Sequence, residues 1–78
     1  MFYHPGWQIA FINAEGLKGK KYKLQVYDLF GRVIYHEEGS LNSAYFTKDL
    51  ICDGFAKGMY IVTVSTEKEN LNKKFIKE

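Results

Sequence analysis

At 78 residues the chain has room for one domain with a thin core, because a domain of this size buries only about 60% of the surface its unfolded chain exposes. A hydrophobic fraction of 46%, with 17% aromatic, supplies that core and excludes disorder over most of the length. The formal charge of +2, with lysines spread toward both ends, is too small to mark a nucleic-acid footprint.

The opening residues, MFYHPGWQIA, lack a basic segment followed by a long apolar stretch, so they are no signal peptide. No apolar run approaches the roughly 20 residues that span a bilayer. The chain therefore reads as cytosolic or as a piece of a longer protein. Residues 1–6 read as linker-like, or as foreign to the natural chain, within a single domain of residues 1–78. Trp7 to Ile12 (WQIAFI) is the first expected strand, and Gly16 and Gly19 punctuate the loop after it. Tyr22 to Leu29 (YKLQVYDL) is the clearest strand: alternation places Tyr22, Leu24 and Val26 on one face and Lys23 and Gln25 on the other. Asp28-Leu29-Phe30-Gly31 has the chemistry of a type I turn closed by a left-handed glycine, a common hairpin connection.

Arg32 to Glu37 is then the returning arm, broken by Gly39-Ser40. Ser43 to Lys48 is a further strand. Asp49 to Lys57 (DLICDGFAK) reads as a loop with one helical turn, with Phe55 docked inward. Met59 to Thr66 (MYIVTVST) is rich in β-branched residues and apolar on both faces near its start, so it reads as a central strand. Glu67 to Asn70 is a polar turn, and Leu71 to Lys77 (LNKKFIK) is the last strand. About six or seven short strands, with turn signals roughly every 8–12 residues, predict an all-β antiparallel sandwich or small barrel.

Side chains that could carry chemistry are few. His36 stands beside Glu37 and Glu38, but two neighbours do not make the three or four converging ligands of a metal site. Alternation puts His36 and Glu38 on one solvated face. Cys52, the only cysteine, has no thiol partner and no linked base, and reads as a small apolar residue. Asp49 and Asp53 are too few for a calcium cage. The glycines form no phosphate loop. Lys18, Lys20, Lys21 and Lys23 read as solvated loop lysines. Neither an enzyme nor a cofactor or metal site is expected. Lys73, Lys74 and Lys77 surround Phe75 and Ile76 at the end of the chain, where lysines discourage edge-to-edge pairing of a terminal strand.

Three segments together, LQVYDLFGRVIY, GFAKGMYIVTV and NKKFIK, resemble the type A C-terminal sorting domain of the type IX secretion system, which exports proteins across the outer membrane of Bacteroidota. The resemblance covers Leu17 to Glu78. It rests on the ordered set: a strand running into a turn and Gly-Arg, an apolar anchor before Lys-Gly-x-Tyr, and a lysine-rich terminal strand. Family members usually open with Tyr-Pro-Asn-Pro, where Tyr3-His4-Pro5-Gly6 stands here.

The resemblance implies an immunoglobulin-like β-sandwich that acts as a non-catalytic export signal at the end of a larger cargo. It implies an outer-membrane translocon and a shuttle protein as partners, and a sortase-like peptidase acting upstream. It also implies passage through the periplasm to the outer membrane, the cell surface or the medium. The missing signal peptide is then expected, because the cargo carries its own. Asp28, Gly31, Phe55, Gly58 and Tyr60 are expected to build the motif. Arg32, Lys73, Lys74 and Lys77 are the candidates for recognition, with Arg32 equally open to a structural ion pair. A terminal strand that closes a small sandwich can swap between copies, which admits a homodimer. The alternative reading is a generic immunoglobulin-like adhesion or carbohydrate-binding module, whose tyrosines and Trp7 would stack on sugars.

Overall fold

The computed structural model describes every residue, Met1–Glu78. Seven strands follow one another: β1 (Phe2–His4), β2 (Ile9–Ala14), β3 (Lys21–Tyr27), β4 (Val33–Ser40), β5 (Phe46–Ile51), β6 (Gly58–Thr66) and β7 (Asn70–Lys77). They form two antiparallel sheets, one ordered β1-β2-β5 and the other β4-β3-β6-β7. This is a seven-stranded sandwich of the immunoglobulin type, with its fourth strand beside the third.

Period-two alternation decides what faces the interior. Leu24 and Val26 of β3 lie opposite Val64 and Val62 of β6, and all four are buried. Ala10 and Ile12 of β2, with Phe46 and Leu50 of β5, close the core from the other sheet. Tyr3, Phe75, Tyr60 and Phe55 form a run of rings, with neighbouring centroids 5.5, 5.4 and 5.2 Å apart. Aromatic pairs at such distances add to burial. β6 is central, paired with β3 on one side and β7 on the other.

A polar clamp joins the two sheets at the β4–β5 side. Glu37 of β4 accepts hydrogen bonds from the Tyr22 and Tyr35 hydroxyls, both at 2.6 Å, and meets the Lys48 ammonium of β5 at 3.0 Å. The three donors hold the Glu37 carboxyl at about 2, well below its ordinary value, against the burial that would raise it.

The structure departs from the sequence reading in several places, and the first expected strand, Trp7 to Ile12, runs instead over Ile9–Ala14, with Trp7 in the turn before it. Phe2–His4, within the segment expected to be linker-like, forms a strand that pairs with Ile9–Phe11, and Tyr3 enters the ring run. Gly39 does not break β4, which continues to Ser40. It lies opposite Tyr22, and a Cβ there would stand 2.8 Å from the tyrosine ring, so the glycine makes room for that ring. β5 starts at Phe46, not Ser43, because the Ser43 hydroxyl engages the Tyr45 backbone at 3.2 Å and favours a turn. Asp49–Ile51 belongs to β5, and residues 52–57 form turns without a helix.

Candidate functional site

The turn after β3 is built by Asp28. Its carbonyl accepts from the Gly31 N–H at 3.1 Å, and its own N–H donates to the Arg32 carbonyl at 3.1 Å. Gly31 has φ +80°, with nothing within 4 Å of an added Cβ, so backbone conformation alone asks for glycine. Asp28 Oδ1 accepts from the N–H groups of Phe30 and Arg32, both at 2.9 Å, and Oδ2 accepts from Arg32 Nε at 2.6 Å. Burial raises the Asp28 carboxyl, but the hydrogen bonds from Arg32 and Phe30 outweigh it and hold it below its ordinary value.

Arg32 is both structural and presented. Its partner Asp28 is 11% exposed at the side chain, whereas Arg32 is 73% exposed. The guanidinium also lies 5.4 Å from the centroid of the Phe30 ring, a cation–π contact. Only Nε is engaged, so the outer fork of donors stays open for a planar, bidentate acceptor.

The segment 56–60 faces this turn. Tyr60, buried near the start of β6, donates its hydroxyl to the Ala56 carbonyl at 2.5 Å. Such a tyrosine corner ties a loop to the strand that follows it. Gly58 has φ +144° and no neighbour that a Cβ would meet, so again the backbone, not a close approach, requires glycine. Phe55 is half-buried against the Tyr60 ring. Asp28, Phe30 and Arg32 of the turn, Lys57 of the loop and Gly58 and Tyr60 at the start of β6 line one shallow cleft of about 120 Å³. The end of β7 joins them, since Met59 pairs with Ile76 and Gly58 with Lys77. Segments remote in sequence thus meet at one end of the four-stranded sheet.

The terminal lysines part company. Lys77 is only 6% exposed. Its ammonium donates to the carbonyls of Cys52 and Phe55, both at 2.5 Å, with Asp53 O at 3.4 Å. Among the expected recognition candidates Lys77 thus has a structural place: alternation turns it inward with Phe75, and it caps the loop after β5. Lys74 is exposed on the outer face, opposite Ile61, which in turn lies opposite Tyr27. Lys73 is exposed on the other side of β7, at the mouth between the sheets beside Met1, Val62 and Leu71. Around Arg32 and Lys74 stand Phe30, Val33, Ile34 and Ile76, all exposed.

Several of the remaining polar groups have local partners, whereas the buried Tyr3 hydroxyl has none. His36 and Lys23 face Glu38 at 3.9 and 3.8 Å on the solvated face. The loop of Lys18 and Lys20, with Lys21 at the start of β3, docks by its backbone: their N–H groups donate to Glu69 and Glu67 on the β6–β7 turn. Cys52 is wholly buried, and burial pushes its thiol up, which disfavours a nucleophilic thiolate. No three His, Cys, Asp or Glu side chains converge as a metal site would need. Sequence reasoning missed the Glu37 clamp. Its signal was present in the alternation that points Glu37 inward with Tyr35, and Lys48 inward between Phe46 and Leu50.

A family model described as a secretion system C-terminal sorting domain matches residues 4–78. No curated protein and no solved structure matches the chain.

Proposed function

The chain belongs to the secretion system C-terminal sorting domain family, and on that premise we propose that its folded form, not its linear sequence, is the export label. The family assigns it as a sorting signal of type IX secretion, which implies interaction with that machinery and export to the cell surface or medium. The family is one of signals and is not known for catalysis. The finer reading is that residues 1–78 form one sorting domain. It carries a larger cargo across the outer membrane after transit through the periplasm. The translocon and its shuttle protein read the domain, and a sortase-like peptidase acts upstream of it.

One observation carries this reading. The Asp28–Arg32 turn, the 56–60 loop and the end of β7 are remote in sequence and meet only in the fold. A reader of that surface therefore needs the folded sandwich. Arg32, fixed by Asp28 yet open to solvent, is the group most suited to charge-assisted contact. Lys74 and the exposed apolar side chains beside it complete the surface. Exchange of β7 between copies would rebuild the same strand register and the Lys77 cap across two chains, and so is the route to a homodimer.

The test fuses the full chain to a reporter directed to the periplasm of a type IX-competent cell, and of a matched strain lacking the translocon. The reporter is expected at the surface of the first strain only. Retention in the periplasm of both strains, with the domain folded, would sink the proposal.

A further inference from the structure

The outer face of the three-stranded sheet plays no part in the surface just described, and its make-up is distinct. β1 and β2 bring Phe2 opposite Phe11, and β2 and β5 bring Phe11 opposite Asp49. The Phe2 and Phe11 rings lie 6.2 Å apart and nearly parallel, at 17°. Trp7, in the β1–β2 turn, stacks on His4 at 4.4 Å and meets Phe11 edge-on at 6.4 Å. With His4 over one side of the indole, Trp7 is still 66% exposed, and Phe2 is 58% exposed. Ile51 at the edge is equally open.

The turn that carries Trp7 is held under strain. Gln8 has φ +54°, the only non-glycine residue with positive φ, a conformation that is unfavourable for an L-residue. It persists because both flanks are fixed: the Gln8 carbonyl accepts from the Cys52 N–H at 2.8 Å, and the Trp7 N–H donates to His4 Nδ1 at 3.1 Å. Strain held in place beside an exposed tryptophan is a mark of a positioned group.

Charge selects the occupant. The chain has 11 lysines and arginines, yet the outward positions of β1, β2 and β5 carry none. They are Phe2 and His4, then Ile9, Phe11 and Asn13, then Thr47, Asp49 and Ile51. Asp49 joins none of the ion pairs of the chain. An anionic ligand would meet an unpaired carboxylate and no lysine or arginine. Aromatic faces beside a free carboxylate, an amide and a hydroxyl instead suit a ligand with apolar C–H faces and many hydroxyl donors.

We propose that this face is a binding site for a neutral saccharide, with a pyranose ring stacked on Trp7 and sugar hydroxyls donating to Asp49 across Phe11. The site is independent of the Arg32 surface, which lies on the other sheet, and stands or falls separately from export.

Trp7 is the only tryptophan, so its emission reports occupancy directly. The full chain is titrated with cellohexaose and mannohexaose as neutral probes and with an oligogalacturonate as the anionic one. A saturable change with a neutral probe, and none with the anionic one, is expected. Calorimetry on Trp7→Ala and Asp49→Asn should show binding weakened about tenfold or more, while Lys68→Ala, on the far β6–β7 turn, binds as the parent does. Circular dichroism confirms that the variants are folded. The proposal is overturned if neither neutral probe alters the emission, or if the anionic probe binds as tightly. It is also overturned if the emission shifts with protein concentration alone, which would make a second copy the occupant.

Discussion

Lys77→Met removes an ammonium while keeping most of the apolar stem. The Cys52 carbonyl keeps a second donor, the Phe55 N–H at 3.0 Å, and the Asp53 contact at 3.4 Å is weak from the start. The Phe55 carbonyl loses its short bond and is the main loss. An orphaned buried carbonyl costs about 1–3 kcal/mol, and a bond to a charged donor contributes about 1.5–3 kcal/mol. Relief of the buried ammonium's desolvation offsets part of this. The net cost is about 1–2 kcal/mol. Against a total stability of roughly 4–12 kcal/mol for a domain of this length, the midpoint of thermal unfolding should fall by roughly 5–15 °C. Urea unfolding followed by circular dichroism, with Lys74→Met as the exposed counterpart, measures the difference. Lys74→Met should stay within about 0.5 kcal/mol of the parent. Equal stability of the two variants would refute the cap, and loss of export from a fully stable Lys77→Met protein would mean that Lys77 is itself read.

Glu37 gives a pH signature. Its folded-state value, about 2, lies below the ordinary 4.5, so its contribution is complete above about 4.5 and is lost as the pH falls toward about 2. Acid unfolding of Glu37→Gln should therefore be shallower over that window, although Asp28 and Glu67, also lowered, leave a residual slope of the same sign. An unchanged slope would mean that the clamp does not form. Gly39→Ala should displace the Tyr22 ring, which an added Cβ would approach to 2.8 Å, and cost about 1–3 kcal/mol in urea unfolding. Gly58→Ala meets no neighbour and should cost about 1–2 kcal/mol from backbone strain alone. Removal of residues 1–15 takes away β1, β2 and the buried Ala10 and Ile12. That truncated chain should show no cooperative unfolding and no export, and a truncated chain that is exported would count against a folded label.

Strands β3 and β6 were legible because their alternation is clean and their inward residues, Leu24, Val26, Val62 and Val64, are all apolar. The Asp28–Gly31 turn was legible because its chemistry is local: one side chain closes a loop within four positions. What stayed hidden depends on contacts between distant strands. Gly39 looks like a break until Tyr22 is placed opposite it. Lys77 looks like one of a basic set until its carbonyl partners, 22 to 25 positions away, are known. Residues 1–6 look linker-like until Phe2–His4 is placed beside β2, with Pro5 and Gly6 in the turn between them. The run His36-Glu37-Glu38 reads as solvated because charge masks the period. Only its middle member turns inward, where two tyrosines and a lysine receive it.

The most direct test of a folded label read at Arg32 is the pair Arg32→Ala and Lys77→Met, each fused to the periplasmic reporter and measured for both urea stability and surface arrival. Arg32 is exposed, so its loss should cost no more than about 1 kcal/mol, while surface arrival falls sharply. Lys77→Met should lose export only in proportion to its lost stability, and recover it at lower growth temperature. Arg32→Ala exported as well as the parent, or impaired only to the extent that it is destabilised, would contradict the account.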